Sequence, residues 1–476
     1  MNKNNLKKWM FENKVILLFV VLCAACMIIS DTSISYIVSE VFSRFARNAC
    51  LVLSLIIPCI AGLGMNFGIV VGAIAAQISI FWVVHWGFTG IEGFLLCAFL
   101  SMPLAILFGY LVGKLYNNTK GVEMITGLIL GFFADGVYKL FVLYIIGGVI
   151  PFDDPNLLNR GFGLRNTFDL SGNIKYALDD ITFLTVMIIS GVVMLIAALV
   201  SFLHGKMSKH SVDSKKVVKQ ALIGAGMLAF GIVGNFVPMI NLLFGGNRLI
   251  FTDVALFGGI GMIAYAAILF ILAKVKKETV SYGKLVKWAV AGLLLALGTM
   301  IEPVRAIYQS LRLPACVYAI ILVFCFFNNW ILSTRLGQNM RTVGQNRAVA
   351  TSDGIDVDKT RIIATCISTV LAAWGQLIFL QNLGTFNTVQ QQTNVGLYSI
   401  AAILVGGATV QKANNKHAVV GVILFHALFV VAPLAATKLI GDSAVSEYIR
   451  MFISYGVIAV SLALHAWQTV AKKENK

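Results

Sequence analysis

Asp135 and Lys139 lie four residues apart inside a long apolar stretch, 122–149. That spacing sets both on one face of a helix, acid before base, the favourable order for an ion pair. A lone charge at mid-membrane costs about 2.5–3.5 kcal/mol on insertion scales, so the two must pair or face water. The pair then either lines a pathway or interface, or merely neutralises itself. Uncharged polar groups sit in other apolar stretches. Asn66 with Phe67, Trp374 with Gln376, and Asn382 with Phe386 each join an amide to an aromatic face. A sugar needs that combination, although a single amide in a membrane helix more often bonds a neighbouring helix.

Other chemistry is missing from the sequence. There is no G-x-x-x-x-G-K-[ST] phosphate loop; 109–114 comes nearest, with the wrong spacing. No H-E-x-x-H occurs, and the six histidines are scattered. All eight cysteines lie in apolar segments, and the Cys23–Cys26 pair has no companion pair or histidine cluster to complete a metal site. They read as small packing residues. The expectation is a chain that is no enzyme and binds no metal or cofactor. If ATP and Mg drive it, a partner subunit must hydrolyse the nucleotide.

The elements that must position these groups follow from composition. The chain is 58% hydrophobic and only 12% charged over 476 residues, about half the charge a soluble surface needs. Its solvent is therefore the bilayer, where unpaired backbone groups force helices or a closed barrel. Barrel strands alternate apolar and polar residues, whereas 181–202, 255–273 and 313–332 are unbroken apolar runs long enough to span as helices. The expected fold is all-α, a polytopic transmembrane helical bundle forming one transmembrane domain over 1–476. Its spans fall near 15–30, 46–63, 66–84, 93–113, 122–149, 181–203, 220–243, 251–273, 285–301, 314–333, 361–381, 397–411, 418–437 and 447–468. That makes 12–14 membrane segments, because 46–63 and 66–84 meet at Gly64–Met65 as a broken or re-entrant element and 397–411 is short for a full span. Lys3, Lys7 and Lys8 before an apolar run look like a signal sequence, read here as an uncleaved first helix.

The net charge of +16 does not indicate a nucleic-acid partner, because the basic residues occupy short loops between apolar runs. With the N-terminus inside, 26 of the 37 Lys and Arg residues fall on the inner side, as the positive-inside rule requires. Both termini are then cytoplasmic, and the setting is a bacterial cytoplasmic (inner) membrane. The largest outer loop, 150–180, carries Pro151, Pro155, Gly161 and Gly163 and should form turns rather than a helix.

The inner loop 334–361 is the most informative segment. Asn346 is a good helix N-cap, 347–353 can make about two helical turns, and Gly354 can end them in a left-handed conformation. Asp356 or Asp358 can cap the helix that follows. Small residues at Ala348, Ala350, Thr351 and Ser352 let another protein approach closely. A mere connector needs none of these signals.

This loop resembles the coupling loop of ATP-binding-cassette importer permeases of the branched-chain-amino-acid and simple-sugar class, which includes ribose, galactose and nucleoside-type permeases. The likeness rests on Gly344 and Asn346, Val349 and Ala350, then Gly354 and Ile355. It continues in Leu371-Ala372-Ala373-Trp374-Gly375 and in 400–408, and the glycine-rich 62–72 is similar to the family's second helix region. It is best over 46–150 and 314–437, with 150–300 beyond the compact core. Arg347 stands where that family commonly has proline, and Val349 replaces a small residue.

The resemblance implies two ATPase subunits docked on Gly344, Asn346, Arg347, Ala348, Val349, Ala350, Gly354 and Ile355. It also implies a second permease chain, identical or related, and an extracytoplasmic solute-binding protein, with lipid around the whole. The solute expected is a simple sugar or nucleoside. The alternatives are a secondary transporter driven by an ion gradient, which has no use for a docking helix, and an integral-membrane enzyme, which needs an acid–base cluster at one membrane face.

Overall fold

The computed structural model describes residues 14–119, 121–151, 154, 157, 158, 163–207, 214–276, 282–410, 412–442, 445, 448–453, 455, 456, 458–460 and 463. In chain order the helices begin with α1 (Lys14–Ser30), α2 (Ile34–Ser54), α3 (Ile56–Ile60), α4 (Ile69–His85), α5 (Gly90–Asn118) and α6 (Glu123–Leu140). They continue with α7 (Phe183–Met207), α8 (Ser214–Phe236), α9 (Pro238–Phe244), α10 (Phe251–Lys276), α11 (Tyr282–Gly298) and α12 (Glu302–Ser310). The last are α13 (Ala315–Ser333), α14 (Arg335–Gln345), α15 (Arg347–Ser352), α16 (Val357–Leu383), α17 (Gln391–Val405) and α18 (Asn415–Ile440). Four short strands complete the order: β1 (Thr167–Asp169), β2 (Arg248–Ile250), β3 (Arg312–Pro314) and β4 (Thr385–Asn387).

The all-α polytopic bundle expected from composition is what forms. Among the described residues nine helices are long and apolar enough to cross a membrane, and the 90° bent pair Leu285–Gly298 and Glu302–Ser310 makes up to ten. The shorter apolar helices Lys14–Ser30 and Ile69–His85 account for further expected segments. Much of the expected span 447–468 lies outside the described residues, as do Lys3, Lys7, Lys8, Pro155 and Gly161.

Two boundaries differ from the hydropathy reading. The helix expected from residue 46 begins at Ile34, because Glu40, Arg44 and Arg47 lower the hydropathy of its first half without breaking it. The segment expected at 397–411 runs instead from Gln391 to Val405. It opens on two glutamines, Gln391 and Gln392, that hydropathy counts against it and stops at Gly406–Gly407. The expected break near Gly64 takes the form of a turn from 61 to 68, with Gly62 and Gly64 at φ 75° and 73°, values that favour glycine.

The chain divides into two compact units. The first contains residues 1–33, 40–177 and 321–476. At its centre α4, apolar on all faces, is buried along most of its length, as such a helix must be. It lies against α16, where a Cβ on Gly72 would come within 2.7 Å of the Thr369 carbonyl. Gly109 and Gly113 bring α5 equally close to Cys366 and Ile362 of α16. Close backbone approach at small residues is how membrane helices gain packing energy. In this unit β1 pairs antiparallel with β4, Phe168 opposite Phe386, so part of the 150–180 loop is ordered, and turns rather than helix fill 171–180.

The second unit contains residues 34–39 and 178–320. It is built from two hairpins, α7 on α8 and α10 on α11, and the two repeat. Gly191 meets Gly224 and Leu228 in the first; Gly259 meets Gly292 and Ala296 in the second. Each residue of the second set follows its counterpart by the same 68 positions. The same offset relates Lys216-x-Val218-Lys219 to Lys284-x-Val286-Lys287. Each hairpin is followed by a short helix opening on proline, Pro238 in α9 and, after Glu302, Pro303 in α12. The strands that come next pair with each other, Leu249 opposite Leu313. The hairpin seams predict matched sensitivity. Gly224→Val and Gly292→Val should each destabilise by about 1–3 kcal/mol through overpacking. Gly292 should cost more, since its Cβ would sit 2.6 Å from the Gly259 carbonyl against 3.1 Å for Gly224 and Gly191. Thermal melting of the purified variants checks the order.

Candidate functional site

The loop between α13 and α16 is more ordered than its sequence suggested. Thr334 caps α14, accepting from the Gly337 amide, and α14 was not foreseen. Its polar residues gave no apolar period to read. Then α15 forms as expected. The Asn346 side chain accepts from the amides of Ala348 and Val349 at 2.9 and 3.3 Å. At the other end Gly354 adopts φ 75°, and the Ile355 amide donates to the Ala350 carbonyl at 2.9 Å, the closing bond of a left-handed helix stop. Asp356, rather than Asp358, caps α16 through the Lys359 amide at 2.9 Å. Ala350 is fully buried and Ile355 half-buried, while Ala348, Val349, Thr351, Ser352 and Gly354 are exposed. The short helix is thus fixed on one side and open on the other.

Two contacts hold the α14–α15 segment to the bundle. Gly344 lies against the 60–62 turn so closely that a Cβ there would collide with the Ile60 carbonyl. Arg347 Nη2 donates to Glu123 Oε1 at 2.5 Å, and Arg361 Nη2 donates to that same oxygen at 2.5 Å. Arg361 is 0% exposed, and removing one partner of a buried ion pair costs about 3–5 kcal/mol. Sequence reasoning placed Arg347 in the loop but missed Glu123 and Arg361. The partners are 224 and 238 residues apart. The one available signal was a carboxylate at the start of a membrane span. Beside this cluster a cavity of about 510 Å³ is lined by residues including Gly62, Gly64, Glu123, Gly344 and Arg347.

The intramembrane polar residues separate into several places. Asp135 and Lys139 do pair, Oδ2 to Nζ at 2.6 Å, and Gln392 Nε2 of α17 donates to Asp135 Oδ1 at 2.7 Å. Asn66 is buried elsewhere, accepting from the Tyr116 hydroxyl at 2.8 Å and from the Gly68 amide at 3.0 Å; its neighbour Phe67 is half-buried. The Trp374 indole donates to the Ala98 carbonyl. Asn382 accepts from Arg47 Nε at 3.0 Å. Phe386 stacks on Phe168 with centroids 4.6 Å apart. Gln376 is fully buried with neither amide atom bonded among the described residues, and Gln77 Oε1 on α4 is likewise unpartnered. Sequence reasoning missed Gln392, because an amide opening a weak span carries no hydropathy signal.

A bundle of apolar helices with a fixed, half-exposed short helix between two of them defines a polytopic membrane protein. A family profile described as the permease component of the branched-chain amino acid transport system matches residues 185–462, and the chain belongs to that family. That range includes the α13–α16 loop. It also includes most of 150–300, beyond the compact core of the resemblance, and it excludes 46–150, one of the two stretches that carry that resemblance. Among curated relatives, the chain is 32% identical over 118 residues to the autoinducer 2 import system permease protein LsrC of Klebsiella pneumoniae, covering 23% of this chain and 33% of that protein. It is 31% identical over 117 residues to the xylose transport system permease protein XylH of Haemophilus influenzae, covering 25% and 30%. The chain thus spans about a third of the curated relatives it matches. No solved structure matches it.

Glu123→Gln should lower stability by about 3–5 kcal/mol by stranding Arg361, whereas Asn346→Ala should cost about 1 kcal/mol, confined to α15. Hydrogen exchange separates them: the first variant should loosen α6 and α16, the second only residues 347–352.

Proposed function

We propose that this chain is the membrane-spanning subunit of an ATP-driven importer that moves a simple sugar or nucleoside inward. The observation that carries the proposal is α15, capped by Asn346 and Gly354 and exposed along Ala348, Val349, Thr351 and Ser352. Family membership supports it, as do relatives named for autoinducer 2 import and xylose transport. In this reading two ATPase subunits, one per permease chain, grip α15 on the cytoplasmic face. A solute-binding protein delivers cargo to the opposite face, where the 150–180 loop and the β1–β4 ribbon lie. Nucleotide binding in the ATPases pushes α15; α14 and α16, joined rigidly to it, tilt with it. The pathway runs through the first unit, past Asn66, Phe67, Asp135, Lys139, Trp374, Gln376, Asn382 and Phe386. The amide atoms of Gln376 and Gln77 left unbonded among the described residues are among the groups there with hydrogen bonds to spare for hydroxyls.

The competing reading, an ion-coupled carrier, would place the ion at Asp135. It predicts uptake that persists without ATPase subunits and collapses with an uncoupler. The importer reading predicts the reverse. Its sharpest test is Gly354→Val. The position has open space around it but φ 75°, so a β-branched residue strains the backbone by about 1–2 kcal/mol without blocking insertion. Substrate-stimulated ATP hydrolysis by the reconstituted complex should fall at least about tenfold, while the variant still reaches the membrane. Unchanged stimulation would count against a role for α15 in coupling.

A further inference from the structure

We infer that Glu123 is an exchangeable counter-ion: it holds Arg347 while α15 is free, and yields it to a carboxylate on the ATPase surface that docks there. The inference rests on the importer reading above and names the chemistry of the docking partner. It starts from one crowded oxygen. Glu123 Oε1 accepts from Nη2 of both Arg347 and Arg361, and the two donors are not equivalent. Arg361 is fully buried, and its Nε and Nη1 have no partner among the described residues. The Arg347 side chain is 34% exposed, and it is rooted in a six-residue helix whose outer face is open.

Buried donors without acceptors are an expense that most folded proteins avoid. Here the expense has a built-in remedy. If Arg347 lets go, Oε1 has a lone pair free to accept a second bond from Arg361, from a donor that is now unpartnered among the described residues. Release of Arg347 is therefore offset inside the protein. The released side chain needs compensation outside. A guanidinium cannot give up its proton, and docking takes water away from it, so it must meet negative charge or oppose the docking. A carboxylate on the ATPase meets that need.

Room for the exchange is present. The cavity of about 510 Å³ beside the pair is lined by Glu123, Gly344 and Arg347, so the side chain can swing without displacing backbone. The exchange also has a route onward. Glu123 opens α6, and Asp135, twelve residues further along the same helix, is bonded to Gln392 of α17. At 1.5 Å per residue that is ~18 Å of rigid helix. Losing Arg347 thus uncouples α15 from α6 while Arg361 keeps Glu123 on α16, and α6 is a rod whose other end holds a residue of the proposed pathway. Arg347, in the place where the resembling permeases commonly carry proline, is the residue that makes this link available.

The test uses the full-length permease and a change that keeps the charge. Arg347→Lys substitutes a primary amine, which a zero-length carbodiimide joins to any carboxylate in contact, losing one water as the amide forms. In the permease alone, in nanodiscs, peptide mapping should find position 347 joined to Glu123. In the complex held with its ATPase and a non-hydrolysable ATP analogue, that adduct should fall about tenfold. An adduct from position 347 to an Asp or Glu of the ATPase should replace it. Assembly is scored separately by recovery of the ATPase with the permease. A complex that assembles with the Glu123 adduct undiminished overturns the exchange and leaves the importer reading intact. Failure of any ATPase to assemble overturns both. As a second check, Arg347→Gln in the permease alone should speed hydrogen exchange at 347–352 and leave α6 and α16 protected. Loss of protection throughout would mean that Arg347 only holds the fold together and would sink the proposal.

Discussion

The structure depends on one carboxylate. Glu123 stands at the start of a membrane span and neutralises an arginine that no water reaches. Take it away and the junction of α6, α15 and α16 loses the only anion bonded to Arg361 among the described residues. Low dielectric makes the arrangement strong and makes its failure expensive. The same oxygen also reaches Arg347, so the short, half-exposed helix of the loop is tied to a fully buried cation. A surface event at α15 and the integrity of the bundle are thereby joined through a single atom.

Around that junction the bundle relies on closeness rather than on hydrophobic drive. Lipid is as apolar as leucine, so burying leucine against leucine gains little in a membrane. What gains energy is backbone approach, and glycine permits it. Gly72, Gly109 and Gly113 form the α4–α16 and α5–α16 seams; Gly406 and Gly421 do the same for α17 and α18. In the second unit the device is used twice over, with Gly191 and Gly224 repeated as Gly259 and Gly292. A hairpin that packs this way can be copied whole, because its seam is local and asks nothing of its neighbours.

The placement of polar groups divides the first unit by task. Asp135 has both oxygens committed, to Lys139 and to Gln392, and Asn66 is equally occupied by Tyr116 and Gly68. These groups specify how helices fit. Gln376 and Gln77 are different: they are buried and retain atoms unbonded among the described residues, a state that a native protein keeps only with reason. Trp374, bonded to the Ala98 carbonyl, braces α5, and Phe386, stacked on Phe168, braces the β1–β4 ribbon.

The amino-acid sequence by itself determined whatever depends on neighbours along the chain. Apolar runs fixed the all-α membrane class. The caps at Asn346 and Asp356 and the left-handed stop at Gly354 were legible because capping is a local hydrogen-bond requirement. So was the Asp135–Lys139 pair, one helical turn apart. Tertiary structure alone decided the rest. It extended α2 through Glu40, Arg44 and Arg47, because packing outweighs hydropathy. It brought Gln392 to Asp135 and set Glu123 between Arg347 and Arg361. Those contacts join residues more than 200 positions apart. No local rule reaches that far: a buried charge must find a counter-ion, but the sequence does not say which one.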